Sequence, residues 1–321
     1  MPAQPNYKMH GADGLLSRRE FIARAANASF GVAVATANAQ LAGAPINSQS
    51  PIVVFSKVYQ ELNLGFEEAA QITADADLQG VDCPLRPGGE ILPERVADDL
   101  PRYAAILRRN NLQLPLLTTG ITSTSSPHAE EVLKTAKGLG IHYYRLGFIV
   151  HRRDISAPNL LSAVKAQLKE LAALNKQLGM CVLLQNHSPS GDTVYFGGNL
   201  QELRNAVQDF DSAQIGVAFD IGHALVVHGD DWRKQFEQLK SHFKIAYVKD
   251  VKRSGGWVPF GQGDIAATGY FSLLKQMGYK SPISMHIEFD WGNDGKNRNR
   301  TALLQALKSS AKTLHGWLAQ A

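Results

Sequence analysis

Four polar clusters in the second half of this chain each end a short apolar run. They are Gln185-Asn186-His187, Asp220-Ile221-Gly222-His223, Lys249-Asp250 and His286-Ile287-Glu288. Apolar strands that end in polar side chains, with helix-like sequence between them, are typical of a (β/α)8 barrel, whose active site lies at the carboxyl ends of its strands. The clusters therefore predict a barrel of the α/β class with its functional groups at one mouth.

The rest of the chain repeats the same alternation. Eight segments are predicted as strands: 52–56, 80–84, 114–119, 143–147, 180–186, 215–220, 244–249 and 283–288. Apolar residues recur with helical spacing between them, as in 129–139, 160–178 and 268–277. No Gly-rich phosphate turn follows the first strand, so a closed barrel is favoured over an open doubly wound sheet.

Length and charge limit the classes of function. One barrel of about 250 residues and a leader account for the 321 residues of the chain. The net charge of +4 is mild and no dense Lys/Arg block occurs, which argues against nucleic acid as a partner. No tail or coiled-coil pattern points to a partner protein, and a homo-oligomer stays open.

The N-terminus is predicted to be an export signal. An Arg-Arg pair at 18–19 precedes a weakly apolar stretch that ends in an Ala-Asn-Ala triplet at 37–39. This order is typical of a twin-arginine signal with a small-residue cleavage site. We therefore predict a signal peptide over 1–39, a barrel domain over 40–321 and a periplasmic or secreted protein. The stretch is too short and too weakly apolar for a stable membrane anchor.

The two cysteines, Cys83 and Cys181, fall on predicted strands two and five. An oxidising compartment would permit a disulfide. These strands lie on different sides of a closed barrel, however, so no bond between the two is expected. Both are predicted to be small buried hydrophobic residues.

Side-chain alternation along the last four strands predicts which groups share the barrel mouth. If Asp220 points inward, a period of two also turns inward three pairs on neighbouring strands. These pairs are Gln185 with His187, Tyr247 with Lys249, and His286 with Glu288. His223 is expected on the loop after strand six, at the same rim. A single polar strand end is more often only hydrogen-bonded, but four together favour an active site.

These residues resemble a known family. The motifs are Gln-Asn-His-Ser at 185–188, Asp220-x-x-His223, Val248-Lys249-Asp250 and Ser-Met-His-Ile-Glu at 284–288. They resemble the xylose-isomerase-like TIM-barrel superfamily of sugar (phosphate) isomerases and epimerases. The resemblance covers 52–288 and implies a TIM barrel that acts on a small-molecule carbohydrate. A second stretch, 80–94, is similar to a subgroup found in predicted secreted sugar enzymes.

The resemblance implies a metal site with altered ligands. Members of the superfamily hold one divalent ion with Glu, Asp, His and Glu from strands five to eight. At the matching positions this chain keeps Asp220 but has Gln185, Tyr247 and His286. Asp220, Gln185 and His286 remain candidate ligands for Mn²⁺ or Zn²⁺, whereas hard ions such as Mg²⁺ prefer more oxygen ligands. Both a revised metal site and metal-free chemistry stay open.

The resemblance also implies proton transfer beside a carbonyl. Epimerases of the superfamily use two carboxylates for it, and Gln185 cannot act as a base. One-base chemistry remains: an aldose–ketose isomerisation, or an elimination from a keto-sugar, with Glu288 or His286 as the base. Lys249 or the metal would stabilise the enediolate. Lys249 as a Schiff-base nucleophile would need a depressed pKa, which the neighbouring Asp250 disfavours.

Five residues are predicted to contact the substrate: His187, His223, Arg86, Arg145 and Trp257. The two arginines suit sugar hydroxyls or a carboxylate, or else form salt bridges at the rim. Trp257, in a Gly-rich loop, would stack on a sugar ring or anchor the loop. A free sugar, keto-sugar or glycoside is expected rather than a phosphorylated one.

Three functions stay open. The first is a sugar isomerase or epimerase, the second a keto-sugar lyase on the same barrel, and the third a non-catalytic sugar-binding protein derived from such an enzyme. A nuclease of the same superfamily is disfavoured, because apurinic endonucleases need about three zinc ions and more His and carboxylate ligands than the last four strands contain.

Overall fold

The structure, a computed structural model, describes residues 50–292 and 296–321. Eight parallel strands close into a barrel in chain order, because β1 pairs with both β2 and β8. The strands are β1 (Ile52–Phe55), β2 (Gly80–Leu85), β3 (Gln113–Thr119), β4 (Tyr143–Arg145), β5 (Cys181–Gln185), β6 (Ile215–Asp220), β7 (Phe243–Val248) and β8 (Ile283–Met285). The predicted closed barrel is confirmed. The predicted signal peptide, 1–39, lies outside the described residues.

All eight predicted strands are present, but several end earlier than predicted. β4 ends at Arg145 and β8 at Met285, whereas the sequence pattern continued to 147 and 288. Beyond these residues the backbone leaves the hydrogen-bonded ladder. The groups at 286–288 therefore lie on the segment that leaves β8.

Helices surround the described part of the barrel. They are α1 (Lys57–Gln60), α2 (Phe66–Asp75), α3 (Val96–Arg109), α4 (Ala129–Gly138), α5 (Ala157–Leu178), α6 (Leu200–Val207), α7 (Ile221–His228), α8 (Trp232–Glu237), α9 (Tyr270–Gln276) and α10 (Arg300–Gln320). The predicted helix over 268–277 is divided: a 3₁₀ turn ends at Thr268, and α9 begins after Gly269, whose φ is 73°. Among the described residues, no helix is both long and apolar enough to cross a membrane.

The apolar core has two layers. The larger layer lies between strands and helices, and the smaller fills the barrel interior. The interior layer contains Val53, Leu116, Cys181, Leu183, Ala218, Ile245 and Tyr247. Alternation then turns the next inward position on β5, on β6 and just past β7 toward the mouth, and these positions hold Gln185, Asp220 and Lys249. Cys83 and Cys181 are free and buried, as predicted.

Candidate active site

Asp220 is fixed at the end of β6 by its neighbours. The Asn186 side chain donates to the Asp220 carbonyl and accepts from its backbone N–H, both at 2.8 Å. Asp220 Oδ1 in turn caps α7 by accepting from the His223 N–H at 3.1 Å. His223 was predicted on the loop after strand six, but it lies in the first turn of a helix. Capping by Asp220 explains the difference.

The Lys249 ammonium lies at the centre of a buried cluster. Its nitrogen, Nζ, is 2.8 Å from Glu288 Oε2, 2.9 Å from His223 Nε2 and 3.3 Å from Asp220 Oδ2. An ammonium has three donors and no acceptor, so these three contacts use all of its protons. We call Asp220, His223, Lys249 and Glu288 the ion cluster. Lys249 is only 1% exposed.

The contacts of His223 define its protonation. Because Nε2 accepts from Lys249, the proton lies on Nδ1, which donates to Ser188 Oγ at 2.8 Å. Burial, reinforced by the Lys249 charge, lowers the pKa of His223 well below its usual range. His223 is thus a neutral imidazole at physiological pH.

The carboxylates of the ion cluster stay ionised. Burial alone would raise the pKa of Glu288, but Lys249 and His286 together outweigh it and hold the pKa well below its usual range. Burial would also raise the pKa of Asp220, but Lys249, His223 and His286 together lower it. Burial would lower the pKa of Lys249, but Asp220 and Glu288 raise it. With His223 neutral, the cluster carries a net charge of −1.

This charge state argues against Lys249 as a Schiff-base nucleophile. Such a nucleophile needs an uncharged amine with a depressed pKa, and here the Lys249 pKa is raised. The neighbouring Asp250 does not compensate Lys249 directly. Its carboxylate instead accepts from the backbone N–H groups of Gly261 and Gly263 at 2.8 and 2.9 Å. Asp250 therefore anchors the loop that follows β7.

Trp257 covers the ion cluster. The Lys249 Nζ lies 4.7 Å from the centre of the indole ring, and the ring meets His223 edge-on at 4.9 Å. The structure places the Trp257 ring against Lys249, and stacking of this ring on a sugar stays a prediction. Its loop brings it down onto the buried cation, which an aromatic face attracts.

A cavity opens beside the ion cluster at the barrel mouth. Six predicted site residues line it: Arg86, Arg145, Gln185, His187, His286 and Glu288. The predicted residues Asp220, His223, Lys249 and Trp257 do not line it. Glu288, whose side chain is 25% exposed, belongs to both sets. It is the carboxylate that joins the cluster to the cavity.

His187 presents a neutral imidazole to the cavity. Its Nδ1 donates to the Ser188 carbonyl at 2.7 Å, so Nε2 carries the free lone pair. Burial, with a further contribution from Lys249, lowers the pKa of His187. The same ring lines a larger adjacent groove of about 640 Å³, whose other walls include Tyr195 and Glu202.

Two arginines bring positive charge to the cavity. Arg145 is 2% exposed, donates to the Leu146 carbonyl at 2.9 Å and packs 4.3 Å from the centre of the Phe148 ring. Burial, with some repulsion from Arg86, lowers the pKa of Arg145 to about 10. Burial also lowers the pKa of Arg86. Within 50–292 and 296–321, neither guanidinium forms an ion pair with a carboxylate, so the predicted rim salt bridges are not seen.

The carboxylate of Asp82 lies near the two arginines but is hydrogen-bonded to other side chains. Asp82 is fully buried, and its two oxygens accept from Thr118 at 2.7 Å and from Ser284 at 2.9 Å. The pKa of each arginine is still raised somewhat by the Asp82 charge, less than burial lowers it. The cavity therefore contains cations whose charge is compensated only at a distance.

His286 has unused hydrogen-bonding capacity. Its ring stacks between Phe55 and Tyr247, with ring centres 4.7 and 4.6 Å away. Both ring nitrogens are buried without a hydrogen-bond partner among the described residues, and Nδ1 lies 3.6 Å from Glu288 Oε1, beyond hydrogen-bond range. A buried polar atom of this kind normally has a partner. A ligand hydroxyl in the cavity would supply it.

The sequence pattern missed four cavity residues. Phe55, Lys57, Thr118 and Phe148 also line the cavity. Each lies near or just after the end of β1, β3 or β4, so the same strand-end rule covers them. They were overlooked because they do not form polar clusters like those of the last four strands.

Residues 70–312 match the model of a protein family described as "xylose isomerase-like TIM barrel". The chain belongs to this family. No curated protein matches the chain in sequence.

Solved structures similar to this family member include enzymes and a zinc protein. A D-psicose 3-epimerase from Clostridium cellulolyticum, solved with D-tagatose, has a TM-score of 0.63 at 13% identity, covering 84% of this chain and 99% of its own. The IolI protein with a bound zinc atom has a TM-score of 0.64 at 16% identity, covering 84% and 98%. A probable 3-DHS dehydratase, AsbF, from Bacillus anthracis has a TM-score of 0.61 at 13% identity, covering 80% and 97%. At these identities the likeness shows the fold.

The predicted ligands Asp220, Gln185 and His286 do not fit a divalent ion such as the zinc atom bound in the IolI structure. The Gln185 amide nitrogen, rather than the oxygen that could ligate an ion, lies 3.2 Å from Asp220 Oδ2 and donates to it. Asp220 Oδ2 is also bonded to Lys249. His286 has Glu288 as its carboxylate neighbour, at 3.6 Å. In the described part of the chain, no three His, Cys, Asp or Glu side chains are arranged to hold an ion.

Proposed function

We propose that this protein is an enzyme of the sugar isomerase/epimerase type that moves a proton at a carbon beside a carbonyl. Its substrate would be a free sugar, a keto-sugar or a glycoside. The observation that carries the proposal is Glu288: an ionised carboxylate that is held by Lys249 and reaches a cavity containing two arginines. A base next to fixed positive charge is what enolisation requires.

Glu288 is the proposed base. Its Oε2 is held by Lys249 at 2.8 Å, which leaves Oε1 to accept the proton from carbon. Because Lys249 lowers the pKa of Glu288, the carboxylate is a weak base. The substrate carbon must therefore be made acidic by stabilisation of the enediolate that forms.

Arg145 and Arg86 are the proposed source of that stabilisation. Negative charge develops on the substrate oxygens as the proton leaves, and fixed cations beside them lower this barrier. Lys249 was expected to contact the enediolate, but all its protons are used within the ion cluster. It is better described as a positioning residue for Glu288.

Two histidines suit the remaining proton movements. An aldose–ketose isomerisation also moves a proton between two substrate oxygens. His187 Nε2 has a free lone pair, and the His286 nitrogens lack partners in the part of the chain that the structure describes. Either ring can accept a hydroxyl proton and return it without a change in charge at the end of the cycle.

Elimination from a keto-glycoside is the second candidate reaction. It would start from the same enediolate and expel the group on the next carbon. The supporting observation is that His187 lines both the cavity and the 640 Å³ groove, which gives a leaving group room outside the cavity. A non-catalytic sugar-binding protein would use the same walls without the proton transfer.

The site of action is proposed from the sequence. The Arg-Arg pair at 18–19 and the Ala-Asn-Ala triplet at 37–39 support twin-arginine export to the periplasm or beyond. N-terminal sequencing of protein recovered from the periplasm tests this. A chain that begins at Gln40 supports export and a barrel domain over 40–321, whereas an intact Met1 terminus in that fraction argues against cleavage there.

Hydrogen exchange in D₂O tests the proposed reaction. Wild-type protein is incubated with a panel of free sugars, keto-sugars and keto-glycosides, and deuterium at carbon is measured by NMR together with any new product. Glu288→Gln should lower the rate by about 10²–10⁴-fold, the usual contribution of a general base. Glu130→Gln, which removes an exposed carboxylate paired with Lys134, is the matched control.

Each outcome of this assay has a meaning. Exchange with a rearranged sugar supports isomerisation, and loss of a substituent supports elimination. Calorimetric sugar binding without exchange or product indicates a binding protein. Exchange that persists at the wild-type rate in Glu288→Gln contradicts the proposed mechanism.

A further inference from the structure

We propose that the Lys249 ammonium takes the place of a divalent ion at this barrel mouth by holding the carboxylates together, so that this protein works without such an ion. The inference concerns what holds the carboxylates together, and it does not depend on which sugar reaction the cavity performs. Three observations support it: the convergence of acceptors, the spacing between them and the confinement of Lys249.

The acceptors converge on one point. A carboxylate oxygen of Asp220, a carboxylate oxygen of Glu288 and the imidazole nitrogen His223 Nε2 all face Lys249 Nζ, at 2.8 to 3.3 Å. Two carboxylate oxygens and one imidazole nitrogen form a typical ligand set for zinc. Here the point between them is occupied by a nitrogen that donates to each.

The spacing of one pair of acceptors is close to that of two ligands in a metal site. Asp220 Oδ2 and His223 Nε2 lie 3.7 Å apart. In a tetrahedral zinc site with bonds of about 2.1 Å, two ligands lie about 3.4 Å apart. A contraction of a few tenths of an ångström would therefore convert this pair of acceptors into a pair of zinc ligands, provided that the ammonium were absent.

Lys249 is confined to this position. A Cβ atom on Gly222 would come within 2.8 Å of Lys249 Cγ, so the stem of the lysine passes directly over a residue without a side chain. The Trp257 ring covers the ammonium from another side, at 4.7 Å. A metal ion would have to enter against the charge of an ammonium that is packed in place, and like charges at this distance repel strongly.

The two functions of a divalent ion are then divided between residues. A catalytic ion holds its ligands in place and polarises the substrate oxygen. Lys249 holds Asp220 and Glu288, and Arg145 in the neighbouring cavity provides positive charge that no carboxylate of the described residues neutralises by direct contact. The altered strand ends Gln185 and His286 are consistent with this division, since neither is needed as a ligand.

Metal analysis of Lys249 variants tests the inference. The full chain is purified without a metal-affinity tag, and bound metals are measured by mass spectrometry before and after calorimetric titration with ZnCl₂ or MnCl₂. We expect the wild type to carry far less than one ion per chain and to keep its melting temperature in EDTA. Lys249→Met, which keeps the length of the stem without the charge, should bind zinc at least tenfold more tightly and be stabilised by it.

Two controls locate the effect. Lys134→Met removes an exposed ammonium paired with Glu130 and should leave zinc affinity unchanged. The double variant Lys249→Met with Asp220→Asn should lose the gain, because a ligand is missing. A folded Lys249→Met protein, judged by circular dichroism, that gains no zinc affinity overturns the inference.

The wild type provides a test that does not need a folded variant. About one tightly bound ion per wild-type chain would overturn the inference. Wild-type protein that takes up no ion at stoichiometric zinc upholds it. Because no sugar is present, these results stand whether or not the hydrogen-exchange assay succeeds.

Discussion

The ion cluster and the cavity beside it both contain buried positive charge, but they compensate it differently. Lys249 has three acceptors within 3.3 Å for its three protons. Arg145 is buried to a similar degree, yet it donates to one backbone carbonyl and forms no ion pair within the described residues. A fully bonded charge mainly maintains structure, whereas a buried charge without a close counter-ion is available to a ligand. Within one barrel mouth, Lys249 therefore positions other side chains, whereas Arg145 is available to bind a ligand.

Removing the Lys249 charge is expected to have the largest effect on stability. Lys249→Met leaves Asp220 and Glu288 facing each other without a cation, and breaking a buried ion pair in this way costs about 3–5 kcal/mol. Guanidinium unfolding monitored by circular dichroism at neutral pH, without added metal, measures it. Lys134→Met should change the unfolding midpoint little. A Lys249→Met protein as stable as the wild type would show that the cluster is not what holds the mouth together.

Removing the Arg145 charge should show the opposite pattern. Arg145→Met keeps much of the packing on Phe148 and removes a desolvated cation, so stability should stay within about 1 kcal/mol of the wild type or increase. Activity toward any substrate found in the exchange assay should fall by about 10²–10³-fold, the usual effect of losing one group that stabilises an oxyanion.

Stability and activity must be measured together on Arg145→Met to test this prediction. Arg95→Met, which removes an exposed arginine paired with Asp99, should change neither property. An Arg145→Met protein that unfolds readily but keeps its activity would reverse the assignment, and would place Arg145 with Lys249 among the structural charges.

The barrel and its mouth follow from local sequence pattern. Alternation of strands and helices predicted all eight strands, and a period of two predicted that Gln185, Asp220 and Lys249 turn inward. These features depend on residues a few positions apart, which a single sequence displays directly.

The separation of the ion cluster from the positively charged cavity cannot be predicted from the local sequence pattern. It depends on contacts between distant residues: Asp82 is bonded to Thr118 and Ser284, which leaves Arg145 without it. The long stem of Lys249 likewise carries its ammonium away from the cavity and into the ion cluster. Neither fact appears in the spacing of residues along the chain.

A smaller effect is expected from the pH dependence of stability. The pKa of His223 is lowered by burial and by Lys249, so the folded protein keeps this ring neutral while the unfolded chain protonates it below its ordinary pKa of about 6.5. The unfolded state then binds more protons, and stability falls as pH drops below about 6.5, by up to about 1.4 kcal/mol per pH unit for this group.

Denaturation between pH 5 and 8 checks this sign. His223→Gln should flatten the slope over that range, and the residual slope should include His187, whose pKa is also lowered. Below about pH 4.5 a second loss should begin as Asp220 and Glu288, whose pKa values are lowered in the folded state, take up protons in the unfolded chain. A stability that rises on acidification from pH 7 to 5 would mean that the His223 ring is charged in the folded protein.

The smallest expected effect on stability comes from changing Trp257. Its size shows whether Trp257 belongs to the ion cluster or to the cavity. A cation–π contact with a desolvated ammonium contributes up to about 2 kcal/mol, so Trp257→Leu should destabilise the protein by about 1–2 kcal/mol, with Trp257→Phe intermediate because it keeps a smaller ring. Sugar affinity by calorimetry should change little, since Trp257 does not line the cavity. If sugar affinity is lost while stability is kept, then Trp257 is a stacking platform and the boundary between the two regions must be redrawn to include its loop in the binding site.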